Sequence, residues 1–127
     1  MKEEDSNGLK DFILYKESLV LSTLGWEIYL NLPLRLQIHP GSQFLRAIDS
    51  IGANIAEGFG RYHFKDSIKF YYYARGSNFE TKFWLRLLYD RKLIEKEVMM
   101  VLAQRLEKQG VMINKLINAT KNNTNSK

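Results

Sequence analysis

Apolar residues recur along much of this chain at steps of three and four, which is the spacing of one face of an α-helix. The clearest stripe consists of Phe44, Ile48, Ile51, Ile55 and Phe59. A comparable stripe lies nearer the C-terminus, at Val98, Leu102, Gln109, Ile113 and Leu116, with Leu106 beside it. Each stripe suits the core of one helical bundle.

The whole pattern predicts four helices, at about 12–32, 42–60, 64–90 and 94–118. Both prolines, Pro33 and Pro40, fall in the first connector, and Ser42 is the predicted N-cap of the second helix. Four helices with such stripes suit a four-helix bundle, so the predicted fold class is all-α. We expect the bundle to occupy residues 11–119, between disordered termini at 1–10 and 120–127.

The first and third predicted helices carry apolar residues on two sides. One face of each consists of Leu21, Leu24, Ile28 and Leu32 in the first helix, and of Phe70, Tyr73, Ser77, Trp84 and Leu88 in the third. A four-helix bundle gives each helix one inward side, so a second apolar side indicates an interface with another copy of the chain. The predicted oligomer interface consists of Leu19, Trp26, Leu30, Tyr72, Phe79 and Phe83. The alternative is that the aromatic residues only widen the core stripe.

The composition narrows the classes of partner. The formal net charge is +5, which weakly favours polyanions. The chain has no cysteine, which excludes disulfides and thiolate metal sites. Its charged N-terminus does not resemble a signal peptide, and no apolar run approaches the ~20 residues that span a bilayer. We therefore expect a cytoplasmic protein with no membrane partner.

The residue patterns of catalysis and metal binding are missing from the sequence. Di-iron bundles need Glu-x-x-His pairs, but neither His39 nor His63 follows a carboxylate by three residues. The sequence also lacks the glycine-rich loop that holds nucleotide phosphates. We therefore expect a protein that is not an enzyme, with no catalytic residue, no cofactor and no metal.

Two motifs carry a family resemblance. The segment at residues 50–61 reads SIGANIAEGFGR, and the aromatic helix after it contains Phe70, the run ARGS at 74–77 and Glu80. Together they resemble the 23S rRNA intervening sequence proteins, also named four-helix bundle proteins. That family typically shows S-I-x-x-N-I-A-E-G-x-x-R before an aromatic-rich helix with G-S-x-x-E. The connector at 33–42, PLRLQIHPGS, departs from the proline-acidic stretch that is usual in the family.

The resemblance implies an up-and-down four-helix bundle that assembles as a ring-like homopentamer. A distant relative of this family is the accessory protein of diversity-generating retroelements, which is similar in being a basic pentamer that handles nucleic acid. No settled biochemical activity comes with either resemblance.

Small and polar residues in the motifs predict close helix packing and a polar network. Gly52 and Gly76 predict close approach of a neighbouring helix, because glycine inside a helix costs up to about 1 kcal/mol relative to alanine. Glu57 and Glu80 are the predicted anchors of a partly buried network with an arginine, since a buried unpaired carboxylate is too costly. The candidate members of this network are Arg46, Ser50, Asn54, Glu57, Arg75, Ser77 and Glu80, with Arg61 a further possible partner of the two acids. The alternative is that the two glutamates are ordinary surface acids.

Cations and aromatic residues cluster at the predicted turn between the second and third helices. The cluster consists of Arg61, Tyr62, His63, Lys65 and Lys69. Cations contact phosphates and aromatic rings stack on bases, so the cluster predicts binding of RNA or DNA. A ring would repeat the cluster and multiply weak contacts. Two alternatives stay open: a solvated charged face, and a scaffold for a partner protein with no direct role for nucleic acid.

Overall fold

A computed structural model describes the backbone of residues 6–125 and the side chains of residues 13–123. Four long helices dominate it: α1 at Ser6–Leu30, α2 at Ser42–Phe59, α3 at Phe64–Asp90 and α4 at Lys96–Asn125. Residues 6–125 contain no strand. The predicted all-α class and the four predicted helices are confirmed.

The helices pack as a four-membered bundle in chain order. α1 contacts α2, α2 contacts α3, α3 contacts α4, and α4 returns to α1. This order of neighbours is the arrangement of an up-and-down bundle, and it places α1 and α3 diagonally across the core. The predicted stripes of α2 and α4 line that core, except that Phe59 and Val98 at their ends are exposed.

The inward face of α3 differs from the prediction. The residues that α3 buries are Ser67, Tyr71, Ala74, Asn78, Thr81, Leu85 and Leu88. Of the face proposed from the sequence only Leu88 is buried, and Tyr73 is exposed. The prediction ranked residues by hydrophobicity, whereas the bundle buries small and hydrogen-bonded side chains here. Except for Tyr71, the aromatic residues of α3 are therefore half-buried or exposed.

Three polar side chains meet in the core and link three helices. Asn78 of α3 donates from Nδ2 to Oε1 of Gln109 (2.9 Å) and to the Leu106 carbonyl (3.0 Å). Gln109 of α4 donates from Nε2 to Oγ of Ser18 on α1 (3.0 Å), and Ser18 donates to the Leu14 carbonyl (2.9 Å). All three side chains are buried. The chain of donors and acceptors offsets the desolvation of polar groups that would otherwise destabilise the core.

Glycines allow α2 to approach both of its neighbours. A Cβ atom on Gly52 would lie 3.1 Å from Cβ of Ser18 on α1, which confirms the predicted close approach there. A Cβ atom on Gly58 would lie 2.5 Å from Cε1 of Tyr71 and 3.0 Å from the Ser67 carbonyl oxygen on α3. The Tyr71 ring therefore occupies the space that a side chain at position 58 would need.

The connector between α1 and α2 is compact. It contains a short helical segment at Leu34–Leu36 and a wide turn at Gln37–Gly41, interrupted by His39, whose backbone is extended. The His39–Pro40 peptide bond is cis, and the His39 ring meets the Trp84 ring edge-on at 6.1 Å between centroids. This contact ties the connector to α3.

Ser42 does not cap α2 as predicted. Its hydroxyl donates to the Ile38 carbonyl at 2.7 Å, and the residue before the helix is Gly41, which is itself helical in backbone. The preceding turn of the connector runs directly into α2, so no separate N-cap is formed.

Both ends of the bundle are longer than predicted. Residues 6–10 are part of α1, and α4 continues to Asn125, so these parts of the predicted disordered termini are helical. Thr120 is buried and its hydroxyl donates to the Leu116 carbonyl at 2.8 Å. The termini were predicted to be disordered because their residues are polar. A helix that is already formed, however, extends through polar residues at little cost in free energy. Residues 1–5 and 126–127 of the predicted termini lie outside the described residues.

Candidate nucleic-acid interface

The turn between α2 and α3 places its side chains outside the bundle. At the end of α2 the Arg61 N–H donates to the Gly58 carbonyl at 3.2 Å. At the start of α3 the N–H groups of Asp66 and Ser67 both donate to the His63 carbonyl at 3.1 Å. These bonds fix the turn at both ends, and the residues between them are exposed.

Tyr62 is the most exposed aromatic residue of the turn. Its side chain is 91% exposed, and its ring meets the His63 ring edge-to-face with 4.8 Å between centroids. An aromatic ring that is almost wholly exposed to solvent is suited to stacking on a base.

Two cations of the predicted cluster flank one aromatic ring. The Arg61 guanidinium carbon lies 4.6 Å from the centroid of Phe70, and Nζ of Lys69 lies 5.6 Å from it. Phe70 itself is only half-buried. Phe70 was predicted to lie on an apolar face of α3. Its contact with Arg61 was not predicted, because no pattern in the sequence shows that these two side chains meet across the turn.

The structure brings the five predicted binding residues to one turn, but acids accompany them. Arg61 forms an ion pair with Glu57 one helical turn before it, and Asp66 lies in the first turn of α3. Three cations (Arg61, Lys65 and Lys69) and these two acids leave the turn with one net positive charge per chain. The turn therefore gains strong electrostatic attraction for a polyanion only where several copies act together.

The predicted polar network does not form within a single chain. Glu57 pairs with Arg61 on its own helix, and Glu80 accepts a hydrogen bond from Nε1 of Trp84 at 3.0 Å. Arg61 is one of the predicted partners of Glu57, but both acids are exposed, whereas a partly buried network was predicted. Arg46 is exposed as well, and Asn54 donates to the Ser50 carbonyl at 2.9 Å on its own helix. The physical reason is that each side chain finds its partner about one helical turn away.

Of two further members of the predicted network, Arg75 contacts α4 and Ser77 forms a hydrogen bond within α3. Arg75 donates from Nη1 to Oδ1 of Asn114 at 3.2 Å, and its guanidinium lies 5.0 Å from the Tyr72 ring. The backbone carbonyl of Ser77 accepts a hydrogen bond from the Thr81 hydroxyl at 2.7 Å. The polar network that the core does contain is the one of Ser18, Asn78 and Gln109. This network was not predicted, because Gln109 falls within an otherwise apolar stripe of the sequence.

The six residues of the predicted oligomer interface are all exposed in the single chain. Phe79 is 62% exposed, Phe83 57% and Trp26 47%. The others are Leu19, Leu30 and Tyr72. These side chains therefore do not widen the core stripe, which was the alternative interpretation. They form two separate apolar surfaces, an α1 outer face at Leu19, Trp26 and Leu30 and an α3 outer face at Tyr72, Phe79 and Phe83.

Gly76 lies beside the α3 outer face and touches nothing in the single chain. No heavy atom that could hinder a Cβ atom on Gly76 lies within 4 Å of its position. Within one chain, then, the predicted close approach at Gly76 is absent. Glycine in the middle of a helix costs up to about 1 kcal/mol relative to alanine, and no packing inside the chain offsets that cost.

The described part of the chain has neither a cluster of metal ligands nor a membrane-spanning helix. Among those residues, no group of three or more histidines, acids or cysteines lies close enough to hold a metal ion. No helix there is both long and apolar enough to cross a membrane.

Comparison with solved structures gives the same architecture. A protein of unknown function from the S23 ribosomal protein family of Bacteroides thetaiotaomicron VPI-5482 superimposes with a TM-score of 0.80. It is 24% identical in sequence, and the match covers 86% of this chain and 98% of that one. At this identity the likeness shows the fold alone. No curated protein matches the chain.

A family model covers most of the sequence. The model described as 23S rRNA-intervening sequence protein matches residues 10–115, which include all four helices in large part and both motifs. The resemblance that the motifs indicated is thereby confirmed. The chain belongs to the 23S rRNA-intervening sequence protein family.

Proposed function

We propose that this chain is a non-enzymatic, homo-oligomeric four-helix bundle that binds RNA or DNA through the turn between α2 and α3. The observation that carries the proposal is the exposed cluster at that turn, where Tyr62 stands beside Arg61, Lys65 and Lys69. The family is named for an insert in 23S rRNA, which agrees with a nucleic-acid ligand.

Self-association is supported by the two outer faces. The α1 outer face and the α3 outer face lie on diagonally placed helices, so they look out from different sides of the bundle. Two different patches on different sides suit a head-to-tail interface, in which the α1 face of one chain covers the α3 face of the next. Such an interface gives a closed ring when its rotation closes, and the homopentamer implied by the family resemblance is the ring that we propose.

A ring would also compensate for the weak positive charge of a single turn between α2 and α3. A single turn has one net positive charge, too little for firm binding of a polyanion. Repetition by symmetry places several such turns at fixed distances, so a strand that engages one turn is presented to the next at high effective concentration. Oligomerisation and nucleic-acid binding are thus two parts of one proposal.

The first test measures mass and the salt dependence of binding. Light scattering should give a mass near five times the 14.9 kDa of one chain. The affinity for a generic single-stranded RNA, measured by fluorescence anisotropy, should fall steeply with salt, with a slope of about −0.7 per phosphate contacted. A monomer of 14.9 kDa, or an affinity that does not change with salt, would contradict the proposal.

The second test locates the binding surface by charge reversal. We expect the triple variant Arg61→Glu, Lys65→Glu and Lys69→Glu to lose binding and to flatten the salt slope by about 2 for each subunit engaged, since three phosphate contacts are lost. The matched control reverses three exposed cations at the other end of α3 and the start of α4, with Arg86→Glu, Arg91→Glu and Lys96→Glu. Both variants have the same net charge, so equal losses would show a non-specific charge effect and reject the turn as the site.

Tyr62 provides a test that leaves the charge unchanged. Replacement Tyr62→Ala should weaken binding of single-stranded RNA by about 1–3 kcal/mol, the usual contribution of one stacked base. The change should leave the salt slope and the free energy of unfolding unaltered, because the ring is 91% exposed. An unchanged affinity would mean that Tyr62 does not stack on bases.

A further inference from the structure

A groove of about 630 Å³ runs between α1 and α4, away from the turn that we assign to nucleic acid. Its floor is aliphatic, with Ile13 from α1 and Val101 and Met112 from α4. Ile13 and Val101 are 50% and 51% exposed, which is high for aliphatic side chains at a contact between two helices. The groove is therefore a concave surface with exposed aliphatic side chains, which the described part of the chain leaves open.

Cations form the rim of this groove. Lys16 on α1 and Arg105 and Lys108 on α4 line it, and among the described residues of the lining Glu17 is the one acid. Arg105 donates to both carboxylate oxygens of Glu17, at 3.0 and 3.3 Å, so this pair is closed on itself. Three cations less one acid leave a net charge of two positive units around an apolar floor. The electrostatic complement of such a rim is an acidic partner.

The length of the groove fits a helix. Val101 and Met112 mark its extent on α4, and eleven residues of helix rise by about 16 Å. That length equals about three turns of a partner helix, which would place apolar residues at spacings of three and four on the floor. Acidic residues on either side of that stripe would then face Lys16 and Lys108.

The lining favours a protein partner over nucleic acid. None of the described residues that line the groove is aromatic, so this lining offers no ring on which a base could stack. An aliphatic floor between cations instead matches an amphipathic helix that is apolar on one side and acidic on its flanks. We propose that the groove between α1 and α4 binds an acidic amphipathic helix of a partner protein.

This groove is separate from the surfaces of the proposed function. On α1 its residues lie to one side of the outer face formed by Leu19, Trp26 and Leu30, because Ile13 and Lys16 project toward α4. The groove also contains no residue of the turn between α2 and α3. Failure at the groove would therefore leave the proposed nucleic-acid site untouched, and the reverse also holds.

The test selects peptides against the groove of the full-length chain. A display library of random 20-residue peptides is panned on the wild-type protein, with counter-selection on the double variant Val101→Asp and Lys108→Glu. Both replaced residues are exposed, and circular dichroism checks that the fold is unchanged. We expect the enriched peptides to carry acidic residues flanking apolar ones at steps of three and four.

An enriched peptide, made synthetically and labelled, then gives the quantitative result. Its Kd should rise at least tenfold for Val101→Asp and, separately, for Lys108→Glu, while the matched surface variant Arg86→Glu should leave it within twofold. Enriched peptides that are basic or lack helical periodicity would overturn the proposal. So would a groove variant that changes the mass of the assembly, because the groove would then be an interface between copies of this chain. Loss of RNA binding by Lys108→Glu, with no loss of peptide binding, would overturn it in favour of nucleic acid.

Discussion

Gln109 occupies a fully buried position in α4 because two other buried side chains satisfy its amide group. Asn78 donates to its carbonyl oxygen and Ser18 accepts from its nitrogen, so each polar atom exchanges a bond with water for one inside the core. A hydrogen bond of this kind contributes only about 1 kcal/mol net, yet leaving one partner unsatisfied costs about 1–3 kcal/mol. The three residues therefore favour one relative position of α1, α3 and α4 more strongly than apolar residues could.

Replacement of Asn78 tests this interpretation. The variant Asn78→Ala should lower the free energy of unfolding by about 2–4 kcal/mol, because it leaves Gln109 with an unpaired carbonyl and opens a cavity. The exposed Asn118 is the control, and Asn118→Ala should change the free energy by no more than about 0.5 kcal/mol. Urea unfolding followed by circular dichroism measures both. A loss below about 1 kcal/mol for Asn78→Ala would show that water replaces the missing amide.

At the scale of the helices, all four helices were predicted from the sequence, but the inward face of α3 was predicted wrongly. α3 was predicted to span residues 64–90 and does so, because this long segment contains no proline that would end the helix. Its inward face was wrong because Asn78 and Thr81 are buried while Tyr73, which was placed on that face, is exposed. Hydrophobicity alone cannot identify the core face of a helix that has aromatic residues on its outer side.

At the candidate site, too, the grouping of residues close in sequence was predicted, whereas contacts between helices were not. The cluster at the turn between α2 and α3 was predicted because its five residues are close in sequence, and short turns keep such residues together. The contact of Arg61 with Phe70 and the separation of Glu57 from Glu80 depend on how two helices face each other. The groove between α1 and α4 depends on residues about ninety positions apart, which no local pattern connects.

Gly58 provides a prediction about the contact between α2 and α3. A Cβ atom at this position would lie 2.5 Å from the Tyr71 ring, so Gly58→Ala must displace the ring or separate the helices. We expect the free energy of unfolding to fall by about 1–3 kcal/mol, although alanine favours helix. Gly60 is the matched control, since a Cβ atom there would meet its nearest neighbour at 3.5 Å, an ordinary contact. Equal stability of Gly58→Ala and Gly60→Ala in thermal unfolding would contradict the close packing.

At the scale of the whole molecule, the unusual feature is that two apolar faces lie outside a complete core. Phe79 and Phe83 on α3 and Leu30 on α1 are each more than half exposed, although the bundle already buries a continuous apolar interior. Exposed apolar surface of this kind favours aggregation of a lone bundle, whereas in an assembly its burial would stabilise the interface. Gly76 is consistent with the proposed assembly, because nothing in the described part of the chain packs against it to offset the cost of a glycine inside a helix.

The proposed head-to-tail ring makes a prediction that other assemblies do not make. One variant blocks the α1 outer face with Trp26→Glu and Leu30→Glu, and a second blocks the α3 outer face with Phe79→Glu and Phe83→Glu. Each variant alone should be a monomer, since every interface needs one face of each kind, whereas an equimolar mixture should form dimers of two 14.9 kDa chains through the one intact pair of faces. Light scattering with circular dichroism as a check on folding measures this. In a two-fold symmetric assembly each face would meet its own copy, so the α3-blocked variant would still associate alone through its α1 face and mixing would add nothing. That result would contradict the proposed ring, because a head-to-tail ring requires the α1 outer face of one chain to contact the α3 outer face of the next.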